Sequence, residues 1–84
     1  MTLEELKRLR NEELGFDPEN EKECLKAVKQ NGYRLRHIKN QTEVICLEAV
    51  KEDGWALKYV KDQTPEICLE AVKDYGYALE YVKD

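Results

Sequence analysis

The sequence predicts an all-α fold: short helical-hairpin repeats stacked as a small solenoid, with an N-terminal capping helix. Three observations point there: a period of 22 residues, apolar positions at helical spacing within each period, and a capping residue and a glycine at fixed places in each. On that period Cys24, Cys46 and Cys68 align, followed by Leu25, Leu47 and Leu69, then Ala27, Ala49 and Ala71, then Val28, Val50 and Val72. Gly32, Gly54 and Gly76 align further on, as do Leu35, Leu57 and Leu79, and Ile38, Val60 and Val82. Residues 41–62 and 63–84 are identical at 16 of 22 positions, and residues 19–40 match 41–62 at 9 of 22. A fixed period of this size is the mark of units that stack on one another. The chain divides as one domain, 1–84: a capping helix and turn over 1–18, then repeats at 19–40, 41–62 and 63–84.

The first 18 residues do not share the repeat. Thr2 and Glu5 have capping-box spacing, Leu3, Leu6, Leu9 and Leu14 make one stripe, and Gly15 ends the helix. This helix is expected to cover the first repeat, with Phe16-Asp17-Pro18 as the turn into the array. Each repeat then reads as two helices. Asn20, Thr42 and Thr64 stand where a side-chain oxygen accepts from a free N–H, Glu23 completes a capping box with Asn20, and Pro65 follows Thr64 at the first helical position. A first helix of about ten residues puts Ile45, Cys46, Ala49 and Val50 on one face, Leu47 at its edge, and Glu48 and Lys51 opposite. Gly32, Gly54 and Gly76 are expected to end these helices in the left-handed conformation. A second, shorter helix follows, such as Trp55 to Lys61, with Ala56, Leu57, Tyr59 and Val60 on its apolar side. At about two turns it needs its neighbours to persist. Arg34 stands where the other repeats have Ala56 and Ala78, so it needs a partner, expected to be Glu5, Glu12 or Glu13.

The run Cys-Leu-Glu-Ala-Val-Lys-x-x-Gly-x-Ala-Leu-x-Tyr-Val-Lys, at 46–61 and 68–83, resembles the helical-repeat family catalogued as domain of unknown function 4116. The resemblance extends over residues 19–84, and the first unit departs from it at Arg34 and His37, where the others have alanine and tyrosine. It implies an all-helical repeat fold and carries over no catalytic, cofactor or ligand residue.

Composition narrows the function classes. Charged residues are 38% and apolar residues 42% of the chain, with both signs mixed and a net charge of −4. That is the profile of a folded domain with an ion-paired surface, and an acidic balance does not favour nucleic acid. The N-terminus lacks the basic-then-apolar pattern of a signal peptide, and no apolar run approaches a membrane span, so a cytoplasmic location is expected. The cysteines come one per repeat. Equivalent stacked helices lie roughly 8–10 Å apart, beyond the about 7 Å Cα separation a disulfide tolerates. The thiols therefore read as small core residues rather than metal ligands. His37, the only histidine, has no serine or second histidine nearby, and the glycines are singletons at helix ends. No catalytic residue, cofactor or metal site is assigned, and the chain is not expected to be an enzyme.

Two groups of side chains are candidates for binding. Tyr33, Trp55 and Tyr77 form one row along the stack, and His37, Tyr59 and Tyr81 a second; such rows line binding surfaces in repeat proteins or pack between repeats. The stretch 23–44 carries Lys26, Lys29, Arg34, Arg36 and Lys39 against two acids, a net of +3 between flanks of −3 and −2. That patch either answers the acidic flanks within the molecule or holds an anion; the first is favoured. The third repeat keeps the full interior pattern through Val82, so its outer face is expected to be an apolar patch, covered either by further repeats or by a second copy in a symmetric homodimer. The expected function is protein–protein interaction or scaffolding with a partner whose identity the sequence does not give. A self-associating architectural element is the alternative, and anion or nucleic-acid binding through the basic repeat comes third.

Overall fold

In the computed structural model, residues 1–83 are described, Asp74 by its backbone alone; Asp84, the last residue of the third repeat, lies outside them. The described residues are helical, with no strand among them. Four α-helices and three 3₁₀ helices follow in order: α1 (Leu3–Leu14), α2 (Glu21–Gln30), η1 (Gly32–His37), α3 (Glu43–Glu52), η2 (Gly54–Tyr59), α4 (Pro65–Asp74) and η3 (Gly76–Tyr81). Helix α2 packs against α3 and α3 against α4, while η1 packs against η2 and η2 against η3. The molecule is elongated, 45 × 23 × 18 Å. No helix among the described residues is long and apolar enough to cross a membrane.

The helix starts follow from their capping residues. Asn20, Thr42 and Thr64 each accept a hydrogen bond from the backbone N–H three residues on, at Glu23, Ile45 and Ile67. Thr2 and Glu5 form the full capping box of α1. Glu23 does not complete the expected box with Asn20; its carboxylate accepts instead from the Asp17 N–H at 3.0 Å, bracing the turn. The core is one continuous cluster of the repeated apolar positions, with Val28, Leu35, Ala49, Val50, Ala56, Leu57, Val60, Ala71 and Ala78 wholly buried.

The short second helices are 3₁₀ rather than α, and the glycines open them rather than closing the α-helices before them. The expected left-handed glycines at 32, 54 and 76 are not there: among the described residues positive φ occurs at Gly15 alone, at 86°, where α1 ends. Asn31 and Asp53 do the punctuating in extended conformation, φ −156° and −151°, and their carboxamide and carboxylate oxygens accept from the N–H two residues on, at Tyr33 and Trp55. Gly32 and Gly54 are needed for room. A Cβ on Gly32 would run into the Ala49 carbonyl oxygen of α3, and one on Gly54 would sit 2.5 Å from Tyr75 Cβ. A Cβ on Gly76 would meet nothing within 4 Å among the described residues beyond its chain neighbours.

Helix α1 is not the expected cap. No other helix has a Cα within 8 Å of one of its own, and Leu3, Leu6 and Leu9 are exposed. The first unit is covered by the turn instead: Phe16 and Pro18 are buried and Leu14 packs partly against the core. What ties α1 to that turn is charge. Glu19 pairs with Lys7 at 3.6 Å and Arg10 at 2.9 Å, and Arg10 also approaches Asp17 at 3.8 Å. The Arg10 hydrogen bond, then the Lys7 charge, hold the Glu19 carboxyl below its usual range. Exposed pairs of this kind are weak and screened by salt.

Candidate interaction surface

The 3₁₀ helices bring the aromatic side chains together, because each starts at the same point of its unit and lies beside the next. The two rows expected from the sequence interlock. Tyr33 meets Tyr59 of the next unit edge-on, ring centres 6.2 Å apart, and Trp55 meets Tyr81 of its next unit at 5.5 Å. Trp55 also touches Tyr77 along its own row, at 5.1 Å. Lys58 lies over the Tyr59 ring at 5.1 Å and near the Tyr81 ring at 6.0 Å, joining the two groups through cation–π contact. The result is a ladder of rings along one side of the array, with Trp55 and Tyr77 each 40% exposed.

Charge and burial act on the phenols. The Tyr33 and Tyr77 hydroxyls are held above their ordinary pKa, first by desolvation among the rings and next by the Asp53 carboxylate. Asp53 is thus an acid set beside an otherwise aromatic surface. His37 does not join the ladder, since no aromatic of a preceding unit lies beside it; it is exposed and accepts on Nε2 from Arg36 Nε at 3.1 Å. Tyr75 is a member the sequence reading missed. It stands where the other units have Asn31 and Asp53, stacks on Tyr77 at 5.6 Å, and donates from its hydroxyl to the Glu52 carbonyl at 3.0 Å.

The five basic residues of the first unit do not form one patch. Lys26 and Arg34 line a hollow with Gly15, Phe16 and Glu23, whereas Lys39 lines another with His37, Lys7, Arg10 and Glu19. Lys29 and Arg36 line neither. Among the described residues, none of the five makes an ion pair, so the expectation that they answer the acidic flanks is not met. Arg34 pairs with neither Glu5, Glu12 nor Glu13. It donates to the Ala27 carbonyl at 3.3 Å and to Gln30 Oε1 at 2.9 Å, satisfied at the C-terminal end of α2 where helix carbonyls are free.

Gln41 and Gln63, identical residues 22 apart, hold neighbouring units together and were also missed from the sequence. Gln41 Nε2 donates to the carbonyls of Leu35 at 3.4 Å, Ile38 at 3.1 Å and Tyr59 at 2.9 Å, while its Oε1 accepts from the Lys61 N–H at 3.0 Å. Gln63 repeats this one unit on, with Leu57, Tyr81 and Lys83. Their Oε1 atoms face the thiols of Cys46 at 3.7 Å and Cys68 at 3.6 Å.

The three cysteines are free, and Cys24 and Cys46 are buried while Cys68 is half-buried. Burial, then Asp62 and Glu43, push the Cys46 thiol up to about 11. Alkylation by iodoacetamide near pH 8 is therefore expected to label Cys68 first and Cys46 slowly. A neutral native thiol also sets a sign for stability. The unfolded thiol ionises near 9.0, so the Cys46 contribution is complete below that and is lost as pH rises towards about 11. Among the described residues no group of three or more His, Cys, Asp or Glu is arranged to hold a metal ion.

Residues 45–84 match the family model described as Domain of unknown function (DUF4116), so the resemblance holds over most of the second unit and all of the third. The first unit, which departs at Arg34 and His37, lies outside the matched residues. No curated protein matches the chain, and no solved structure does.

Proposed function

We propose that this chain, whose second and third units resemble a family described as a domain of unknown function, is a non-catalytic protein–protein interaction module. Its three units form a short solenoid, a reading supported by the same packing of one unit on the next occurring twice. The ring ladder along η1, η2 and η3 is the binding surface. The observation that carries this is the placement of Trp55 and Tyr77, large rings left 40% exposed yet held against Tyr75 and Tyr81. Such rings offer contact area at little further entropic cost, because their neighbours already fix them. Lys58 and Asp53 at the rings supply one charge of each sign for orientation. The basic first unit is a weaker site for an anion or nucleic acid, because its side chains are divided between separate hollows.

The test compares proteins captured from native extract by the intact chain, by Trp55→Ala/Tyr77→Ala and by Lys26→Ala/Arg36→Ala. The expected result is one or more identified partners lost with the aromatic variant and kept with the basic one. Loss with the basic variant alone, reversed by salt, would replace this reading with the anionic one.

A further inference from the structure

Trp55 remains 40% exposed although its unit is packed by a neighbour on both sides. Tyr77 meets its ring at 5.1 Å, and Tyr33 stands at the same place one unit before. One carboxylate sits among these rings. Asp53 Oδ1 accepts from the Trp55 N–H at 3.0 Å. Asp53 Cβ lies 3.2 Å from where a Cβ would stand on Gly32, the residue before Tyr33. Asp53 is thus set between the first ring and the second. Its charge acts, after desolvation, to hold the Tyr33 and Tyr77 hydroxyls above their ordinary range. Asp53 is half-buried, and among the described residues it makes no ion pair and accepts no hydrogen bond on Oδ2.

The nearby bases are engaged elsewhere. Lys58 lies over the Tyr59 and Tyr81 rings, at 5.1 and 6.0 Å. Arg34 is held at the end of α2, and Arg36 donates to His37. Lys58 shows how rings of this ladder take a cation, on the face where the π electrons meet the charge. Tyr33, Trp55 and Tyr77 offer the same faces, and among the described residues no cation lies over them. The wider charge has the sign of Asp53. Residues 41–84 carry ten acidic and five basic side chains, a net of −5. Such a surface draws basic segments and repels acidic ones. Of the two basic side chains, a guanidinium suits both parts of the site. It is flat, so it lies on a ring, and forked, so it donates to a carboxylate at the same time; an ammonium is a compact, strongly hydrated charge.

We propose that Asp53, with the rings of Tyr33, Trp55 and Tyr77, takes an arginine side chain of a partner protein. The guanidinium lies against the exposed rings and donates to the Asp53 carboxylate. This rests on the ring ladder being the binding surface and names the chemistry it reads.

Trp55 is the only tryptophan of the chain, so its fluorescence reports the site directly. The intact chain is titrated with the blocked peptide Gly-Arg-Gly-Arg-Gly and with its lysine and glutamate counterparts. The arginine peptide is expected to give a saturable change at millimolar concentration, the lysine peptide a weaker one and the glutamate peptide none. Asp53→Asn should weaken the arginine peptide at least about fivefold. Asn31 accepts from the Tyr33 N–H at 3.0 Å as Asp53 does from Trp55, so this variant keeps the cap of η2 and removes the charge. Glu66→Gln removes an equal charge in the first turn of α4, the end away from η3, and should leave binding unchanged. Equal weakening by the two variants, an equal response to the lysine peptide, or no response to the arginine peptide overturns the proposal. The underlying reading fails separately. Partners captured from extract that depend on Trp55 and Tyr77 but are kept by Asp53→Asn overturn the arginine and leave the ring surface standing. Partners indifferent to Trp55 and Tyr77 overturn both.

Discussion

Gly32→Ala and Gly54→Ala are each expected to lower stability by about 1–3 kcal/mol, while Gly76→Ala leaves the melting temperature unchanged or raises it. The three substitutions are chemically the same, and what differs is the neighbour. The new methyl at 32 meets a carbonyl of α3, which cannot move without opening that helix. At 54 it meets Cβ of Tyr75, which is fixed to the backbone, so rotating the ring gives no relief. At 76 it meets open space, and alanine restricts the unfolded chain more than glycine does. Thermal denaturation of the three variants gives the comparison. Equal losses at all three positions would mean that the glycines serve local conformation and not the approach of one unit to the next.

Gln41→Ala should cost about 2–4 kcal/mol, among the largest effects of any polar substitution in the chain. Its carboxamide satisfies carbonyls at the ends of two successive 3₁₀ helices and the Lys61 N–H. Removing it leaves those groups without partners beside a packed core. Gln41→Glu separates donation from size. The carboxylate fills the same space and still accepts from Lys61, but it cannot donate to the Tyr59 carbonyl. A loss near that of alanine, read by chemical denaturation, would locate the effect in the donated hydrogen bonds. Faster amide exchange at Lys61 should accompany alanine and not glutamate.

The helical starts were legible because capping is local: Asn20, Thr42 and Thr64 accept from the N–H three residues on, a relation fixed by spacing alone. The apolar faces of α2, α3 and α4 were legible for the same reason, down to Leu47 at the edge of α3. The glycines were misread because a glycine after a helix has two physical causes, a left-handed backbone or a close neighbour. Sequence spacing does not show the neighbour. The Asn31-Gly32 and Asp53-Gly54 pairs did hold a turn signal, and it marks the side-chain caps of η1 and η2. The leucine stripe of α1 was correct as a helix pattern, but whether a stripe is covered depends on where the following turn sends the helix. Here Phe16 and Pro18 are buried while Leu3, Leu6 and Leu9 are exposed. Of the aromatic surface, the two rows were visible as a period of 22. Their interlocking was not, because it depends on how far one 3₁₀ helix is offset from the next. Tyr75 was hidden by the alignment itself, since its counterparts are capping residues.

Tyr75 replaces a cap with a ring, and that exchange has a kinetic side. Asn31 and Asp53 pin the first turns of η1 and η2, whereas η3 begins with no side-chain hydrogen bond of that kind. Among the described residues the helices of each unit pack only on their own and the adjacent units, so the array is expected to loosen one unit at a time rather than all at once. Opening then has a direction. The third unit is expected to release first, carrying Tyr77 and Tyr81 away from Trp55, so that indole fluorescence changes before the second unit parts from the first.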